Sequence, residues 1–417
     1  MAYPPKRGVP PPDKLKELAE QYLRELEKGP WPSHVTELRK TGYPLHVYGA
    51  GLVVGKSPWA PSAVRTRYLT GTMARIARPW LGLPGEEIHL RVFHTPGRFL
   101  KTDWFRKLLD AIREYAIGLL EVIGQTGNMI INITKKEYAE VVADKLRELG
   151  TDVGGSADAV RALAACVGPA LCEFACYDTL KMWCDLHLDP RVHENIRAPN
   201  FHYKFKPKLS GCPFDCARAS RGDLGLLGTW KGAPEVDQEL LREKVKRGEV
   251  DPRELERGCV SGAISWDPVR QELRINEKRC VKCMECIRLA HPAIKPGREK
   301  RIAVLLGGNN KGYYGVKLGW FVGYLPPDVS AKRVVDMMEK IWEVWDKYGM
   351  PKQRVADVII YLGIQRFIKE AELDKFLIEM PAFYEKMPDD VPYRILPPEE
   401  RQVYAEYAKK VKQELGI

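Results

Sequence analysis

Ten cysteines fall between Cys166 and Cys286, and most stand in spaced sets. Cys280, Cys283 and Cys286 follow one another at two-residue intervals. That spacing lets three thiolates on one short loop reach three corners of an iron–sulfur cubane. A zinc site or a group of inert buried thiols is the alternative, although zinc sites rarely use three cysteines in such a run. The other set is Cys166-x5-Cys172, followed at a distance by Cys212-x3-Cys216. Gly168-Pro169 and Gly211-Cys212-Pro213 supply turns that can wrap backbone around a cluster, and the spacing is unusual for zinc. Cys176 and Cys184 belong to neither set and are expected as buried free thiols.

The elements that must hold these sets alternate along the chain. Residues 44–56 and 86–94 read as strands, the second by its alternation and the first with glycines that permit close backbone approach. A basic loop containing Trp and Pro separates them. Residues 103–124 read as an amphipathic helix, 128–134 as a buried strand and 135–149 as a further helix, an order typical of layered mixed α/β domains. A charged helical stretch around 235–257 leads into the second cysteine region at 259–292, and strands return at 301–306 and 314–324. Residues 236–300 are therefore expected as a small domain inserted into a larger one. Asp13 can cap an N-terminal helix carrying Leu15, Leu18, Tyr22 and Leu26, with Gly29-Pro30 as its stop. Residues 330–417 read as helical.

Bulk properties narrow the setting. A chain of 417 residues has room for two or three compact units. Its 45% apolar and 29% charged residues are those of a globular protein. No apolar stretch approaches the roughly 18 residues of a membrane helix. The first residues lack the apolar core of a secretory signal and a twin-arginine pair, so a cytoplasmic location is expected. A reducing compartment disfavours disulfides and favours metal ligation by regularly spaced cysteines. The formal charge of +11 suits an anionic ligand, an acidic partner or nucleic acid, and equally a solvated basic surface. Against nucleic acid, the longest basic run is of the kind of Lys244-Val-Lys-Arg247, and no zinc-finger histidine pair accompanies the cysteines.

With both cysteine sets placed, the chain resembles the alpha subunits of dissimilatory sulfite reductases, siroheme enzymes of the sulfite/nitrite reductase type with an inserted ferredoxin domain. The segments that carry the resemblance are Leu26-Glu-Lys-Gly-Pro-Trp-Pro32, Gly168-Pro-Ala-Leu-Cys-Glu-Phe-Ala-Cys-Tyr-Asp-Thr-Leu180, Tyr203-Lys-Phe-Lys206, Gly211-Cys-Pro-Phe-Asp-Cys216, Gly228-Thr-Trp-Lys231 and the ferredoxin-like run. Residues 55–85 depart from the family pattern, being longer and more basic. The run at 280–286 is that of a bacterial-type ferredoxin, but Ala290 occupies the place where two-cluster ferredoxins carry a further Cys. One cluster is implied there, with Cys259 in Cys259-Val-Ser-Gly-Ala-Ile264 as the remote fourth ligand and Val260 in place of the usual Pro.

The resemblance implies an α+β fold: mixed α/β siroheme-reductase domains, an inserted ferredoxin-like [4Fe–4S] domain, and helical N- and C-terminal extensions. The division expected is an N-terminal arm at 1–42, a substrate- and siroheme-contacting half-domain at 43–125, a siroheme–[4Fe–4S] domain at 126–235, the ferredoxin domain at 236–300, a return of the sheet at 301–329 and a helical region at 330–417. It implies two [4Fe–4S] clusters, on Cys166/Cys172/Cys212/Cys216 and on Cys259/Cys280/Cys283/Cys286, with Cys216 also joined to siroheme or to its iron-free form. The family's four substrate-binding bases map onto Arg91, Arg161, Lys204 and Lys206. Alternate residues of a strand face the same way, so Lys204 and Lys206 can converge on one ligand. Lys208 continues that alternation but could equally lie at the surface.

Siroheme carries many carboxylates, so Arg98, Lys101 and Arg106, with Gln125, Thr126 and Gly127, are further expected contacts. The implied reaction is six-electron reduction of sulfite towards sulfide. The implied assembly is an α2β2 heterotetramer with a homologous beta subunit, an electron-donor protein and a small sulfur-carrier protein. In that arrangement the alpha chain's bases face the siroheme held by beta cysteines. The alternatives are a non-catalytic electron-transfer or structural subunit of such a complex, and an assimilatory-type sulfite or nitrite reductase.

Overall fold

The computed structural model describes residues 88–93, 96–123, 128–133, 137–151, 153–155, 159–161, 163–197, 201–310, 316–351 and 353–381, with Met73–Arg75 and a few isolated positions. Nearly all of the expected arm at 1–42, the strand at 44–56, nearly all of 55–85, Gln125, Thr126, Gly127 and the tail beyond residue 381 lie outside the described residues.

Strand β1 (Met73–Arg75), β2 (Ile88–Phe93), β3 (Ala116–Ile123) and β4 (Asn128–Ile133) form an antiparallel sheet in the order β1-β2-β4-β3. Helices α1 (Thr102–Ile112) and α2 (Tyr138–Glu148) close one core with it. Leu108 and Ile112 of α1 and Val142 and Leu146 of α2 join Leu90, Val92, Met129 and Ile131 there, all fully or nearly fully buried. The helix expected over 103–124 is corrected by this arrangement. It stops at Ile112, and the following apolar run Ala116–Ile123 pairs with β4 as a strand. Helical spacing persists through that run, yet a strand satisfies its backbone against β4 and avoids a helix-interior glycine at Gly118. The expected division at 125/126 consequently falls between two adjacent strands of one sheet.

A second sheet begins with β5 (Ala164–Ala165), β6 (Pro207–Ser210) and β7 (Leu224–Trp230), which run parallel to one another. Between β5 and β6 lie α3 (Thr179–Leu188) and α4 (Pro190–Arg197). After β7 the chain leaves the sheet. It forms β8 (Glu235–Val236), α5 (Gln238–Lys246), α6 (Pro252–Gly258), β9 (Ile264–Asp267), β10 (Glu272–Ile275), α7 (Glu285–Ala290) and β11 (Ile294–Lys295). It then returns as β12 (Lys300–Leu306), which pairs antiparallel with β7, and β13 (Trp320–Leu325). The five-stranded order is β13-β12-β7-β6-β5, so residues 231–299 enter and leave between neighbouring strands. Within that stretch β9 pairs with β10 and β8 with β11, around a small core of Leu241, Leu255, Leu273, Met284 and Ile287. The charged stretch at 235–257 is thus two short helices, each N-capped by an aspartate, Asp237 or Asp251.

The large sheet is covered by α3 and by α8 (Ala331–Tyr348), α9 (Val355–Leu362) and α10 (Ile364–Glu370). Ser330 caps α8, accepting from the Arg333 amide at 3.3 Å. Val334, Met338, Ile341, Trp342 and Trp345 recur at helical spacing on its buried face, against Leu226, Val304 and Phe205 of the sheet layer. Among the described residues no helix is long and apolar enough to cross a membrane.

Arg354, at the N-terminus of α9, reaches back to Asp223, just before β7, in a fully buried ion pair. Its Nε donates to Asp223 Oδ1 at 2.8 Å, and Asp223 Oδ2 also accepts from the Lys206 amide at 2.7 Å. Removing one partner strands the other charge out of water, at a cost of about 3–5 kcal/mol. Asp223→Ala is therefore expected to lower the urea midpoint of the chain sharply, and Asp223→Asn by less. An unchanged midpoint in Asp223→Ala would contradict the pair's role.

Candidate functional site

The first cysteine set is assembled at one end of the five-stranded sheet. Cys166 follows β5, Cys172 follows a 3₁₀ turn at Gly168–Ala170, and Cys212 and Cys216 follow β6. Backbone bonds stitch the two segments together: Cys176 N donates to Gly211 O at 2.7 Å, and Gly211 N to Cys166 Sγ at 3.1 Å. Tyr177 OH ties the same loop to β7 through Leu226 O at 3.0 Å. Asp215, in left-handed backbone, folds the Cys212–Cys216 loop on itself. Its carboxylate accepts from Ser210 Oγ at 2.6 Å and Ser220 N at 3.0 Å. The thiols lie within electrostatic reach of one another: burial pushes Cys212 up to about 12, with Cys172, Cys176 and Cys216 adding to the rise. Cys166 and Cys212 are buried, whereas Cys216 is exposed.

Gly228, in β7, lies beneath this loop. A Cβ at this position would collide with the Gly211 carbonyl oxygen and stand 3.1 Å from Cys176 Cβ. Gly228→Ala must displace the segment that carries Cys212. The expected result is loss of iron from this set with the sheet still folded, measured as iron per chain beside the circular dichroism spectrum. Full iron content in the variant would contradict it.

The second set lines one pocket: Cys259, Cys280, Cys283 and Cys286, with Ser261, Ala263 and Ile264. Lys282 and Met284 adopt positive φ, which turns the loop so that successive thiols face inward. Burial pushes Cys286 up to about 12, and the neighbouring Cys280 and Cys283 raise it further. Cys259 is also pushed up by burial, but the amide of Ala263, 3.2 Å from its sulfur, and the Ser261 hydroxyl outweigh this and leave it below its ordinary value. Among the described residues no three His, Cys, Asp or Glu side chains stand close enough to hold a single metal ion. Four thiols spread around a pocket suit the separate iron corners of a cubane better than one tetrahedral zinc.

Three of the expected bases, Arg161, Lys204 and Lys206, lie close to one another. Arg91 on β2 is 3% exposed and Arg161 7%. Arg91 O accepts from Gly154 N at 2.9 Å, and the Arg161 guanidinium donates to the next carbonyl, Gly155 O, so one short segment positions both. Lys204 and Lys206 lie in extended backbone leading into β6, on either side of Phe205, which bridges to Val160. Lys204 Nζ donates to Tyr203 OH at 3.0 Å. Burial pushes Lys206 well below the lysine range, reinforced by Arg354, Lys204 and Arg161 and opposed by Asp223. Several cations thus crowd together against one carboxylate, an arrangement that an incoming anion relieves.

Lys208, two residues on, is not at the surface. It is 1% exposed, burial lowers it to about 8, and its Nζ has no hydrogen-bond partner among the described residues. A buried ammonium directed at no acceptor of the chain fits the acidic edge of a bound cofactor. The every-second-residue repeat at 204, 206 and 208 was its sequence signal. Asp223 and Arg354 had none.

The remaining expected contacts are less gathered. Arg98 is exposed, on a turn (Pro96–Arg98) that packs against β5 and α3 next to Cys166. Lys101 is exposed at the start of α1, and Arg106 is exposed and paired with Asp103 at 2.9 Å. Cys176 is buried as expected, while Cys184 is only half-buried, on the edge of the main core.

Comparison with known proteins agrees with this geometry. Residues 156–376 match the family described as nitrite and sulphite reductase 4Fe-4S domain. The chain is 28% identical to the dissimilatory-type sulfite reductase subunit alpha of Nitratidesulfovibrio vulgaris, over 84% of this chain and 89% of the relative. It is likewise 28% identical to that of Allochromatium vinosum, over 83% and 88%. The crystal structure of dissimilatory sulfite reductase I superposes with a TM-score of 0.67 at 25% identity, over 91% of this chain and 94% of that one. More than half of the chain lies within the family match, and the protein therefore belongs to the nitrite and sulphite reductase 4Fe-4S domain family.

Proposed function

We propose that this chain is the alpha-type subunit of a cytoplasmic dissimilatory sulfite reductase, an oxidoreductase that takes sulfite towards sulfide. The observation that carries the reading is the gathering of Arg161, Lys204 and Lys206 around one carboxylate, Asp223, with Arg91 held by the same short segment that holds Arg161. The likeness to alpha subunits over most of the chain supports it. Cys166, Cys172, Cys212 and Cys216 hold one [4Fe–4S] cluster, and Cys259, Cys280, Cys283 and Cys286 the other. Residues 236–300 form the inserted ferredoxin unit, held between β7 and β12. Siroheme, or its iron-free form, would be held at Cys216 and, where it carries iron, would supply the redox chemistry for sulfite.

The chain's own residues supply charge and protons. Hydrogensulfite consumes six electrons and six protons to give hydrosulfide and three waters, so each oxygen leaves only as protons arrive. Arg91 and Arg161 stay charged and hold the oxygens. Lys204 and Lys206 do the same and, with Lys206 already held well below the lysine range, can pass protons to a departing oxygen. Lys208 and Arg98 would meet carboxylates of the tetrapyrrole. A homologous beta subunit completes an α2β2 assembly in which these bases face the siroheme held by beta, with an electron-donor protein and a small sulfur-carrier protein as further partners.

The test is the complex co-expressed with its beta chain, assayed for sulfite and nitrite turnover and examined by optical and electron paramagnetic resonance spectroscopy with iron quantitation. Sulfite-selective turnover with siroheme absorption and cubane signals is expected. Absence of both cofactor signatures would overturn the reading.

A further inference from the structure

Two lysines stand where the two cysteine sets approach each other, and neither has a carboxylate partner among the described residues. Lys282 lies inside the Cys280–Cys283 loop, and its Nζ donates to the main-chain carbonyl of Trp230. Lys300 is the register partner of Trp230 across β7 and β12, and its Nζ donates to Pro296 O at 2.9 Å. Both side chains are half-buried. The nearby acids are otherwise engaged or form no ion pair with either lysine: Glu379 is paired with Arg301, Glu235 with Arg298, and Glu277 forms no ion pair with Lys282.

Trp230, between the two lysines, is fully buried in one core with Cys176, Cys212 and Met284. That core joins the loop of the first set to the loop of the second. Burial raises the Cys176 thiol to about 11, and Lys300 and Lys282 both oppose that rise. Cys176 is bonded through its amide to Gly211, next to Cys212.

Half-buried ammoniums that bond only to carbonyls are poorly compensated by the protein alone. A cubane held by four thiolates is an anion whose negative charge grows on reduction, and cluster potentials respond to nearby charge. We infer that Lys282 and Lys300 form a cationic seam between the two clusters that raises their reduction potentials, Lys282 chiefly that of the Cys259/Cys280/Cys283/Cys286 cluster and Lys300 chiefly that of the other. The step they govern is the passage of one electron from the first of these clusters to the second, with no bond made or broken. The electron comes from a reduced donor protein. The seam stabilises the added electron at the junction, and the difference between the two lysines' effects sets its direction. Both act as positioning charges and touch no substrate. The inference rests on the two-cluster reading above.

The test is a redox titration of the intact complex followed by electron paramagnetic resonance, with each variant compared with wild type so that only this chain's clusters differ. Lys282→Met is expected to lower the reduced-to-oxidised ratio of one cluster threefold to tenfold at the wild-type midpoint, tenfold corresponding to about 59 mV for one electron. Lys300→Met is expected to shift the other cluster in the same direction. Lys282→Arg and Lys300→Arg should restore most of each shift, and the exposed Lys231→Met should shift neither. If methionine at 282 costs the cluster itself, Lys282→Gln, which keeps a donor for the Trp230 carbonyl without the charge, is read by the same criterion. Unchanged ratios in the lysine variants, or an equal shift in Lys231→Met, overturn the seam and leave the two-cluster reading standing. A wild-type complex without two cubanes in this chain overturns that reading itself.

Discussion

Lys206→Met in the co-expressed complex is expected to lower sulfite turnover by about 10²–10³-fold while siroheme absorption and cluster signals stay intact, the range for removal of one preorganised charge at a developing anion. The same substitution should stabilise the cofactor-free chain at neutral pH, and this opposite sign separates a functional role from a structural one. Burial and the neighbouring Arg354, Lys204 and Arg161 hold Lys206 far below the ordinary lysine value of 10.5. Between its depressed value and 10.5 the unfolded chain binds more protons than the folded one, so stability rises with pH across that window. Below the window the full penalty of the buried charge remains; above 10.5 it is gone. Lys206→Met should flatten the rise and increase the urea midpoint at pH 7. Normal turnover in the variant would remove Lys206 from the reaction, whatever the stability result.

Cys280→Ala is expected to remove one cubane, about four irons per chain, and to abolish turnover driven by a donor protein, with the tetrapyrrole band retained. Its structural effect should be confined. Residues 231–299 contain two two-stranded sheets and three short helices around a small apolar core, with the four thiols forming one of its walls. So small a unit is expected to lose stability with the cluster proposed for it. The five-stranded sheet has its own larger core, closed by β7 and β12 pairing directly. Limited proteolysis should therefore cut the variant within 231–299 and leave the remainder protected. Cleavage spread evenly through the chain would mean that the two units do not fold separately.

The cysteine sets were legible because cluster ligation demands local spacing, and three of the four thiols of the second set sit on one loop at 280–286. The alternation at Lys204, Lys206 and Lys208 was legible for the same reason, since a two-residue repeat in extended chain is local. What sequence did not disclose is long-range. Arg354 meets Asp223 across 131 residues, and no pattern at either position announces the other. The segment 116–123 was misread because its apolar residues satisfy both helical and strand spacing, and the decision belongs to β4, its pairing partner. The importance of Lys300 emerges only from its register opposite Trp230.

That register has a further consequence, for how such a protein can be remodelled. Trp230 and Lys300 are register partners on neighbouring strands, so the point of departure and the point of return are one strand spacing apart, about 4.8 Å. The host sheet behaves as a socket: a plug with closely spaced ends can be exchanged without altering strand order. The socket is not indifferent to its occupant, because Trp230, Cys176 and Cys212 share a core with the present plug and would be laid bare by its excision. A transplanted redox module must therefore bring its own apolar seal for that tryptophan, and a swap that matches only the chain ends would leave the neighbouring cysteine loop open to water.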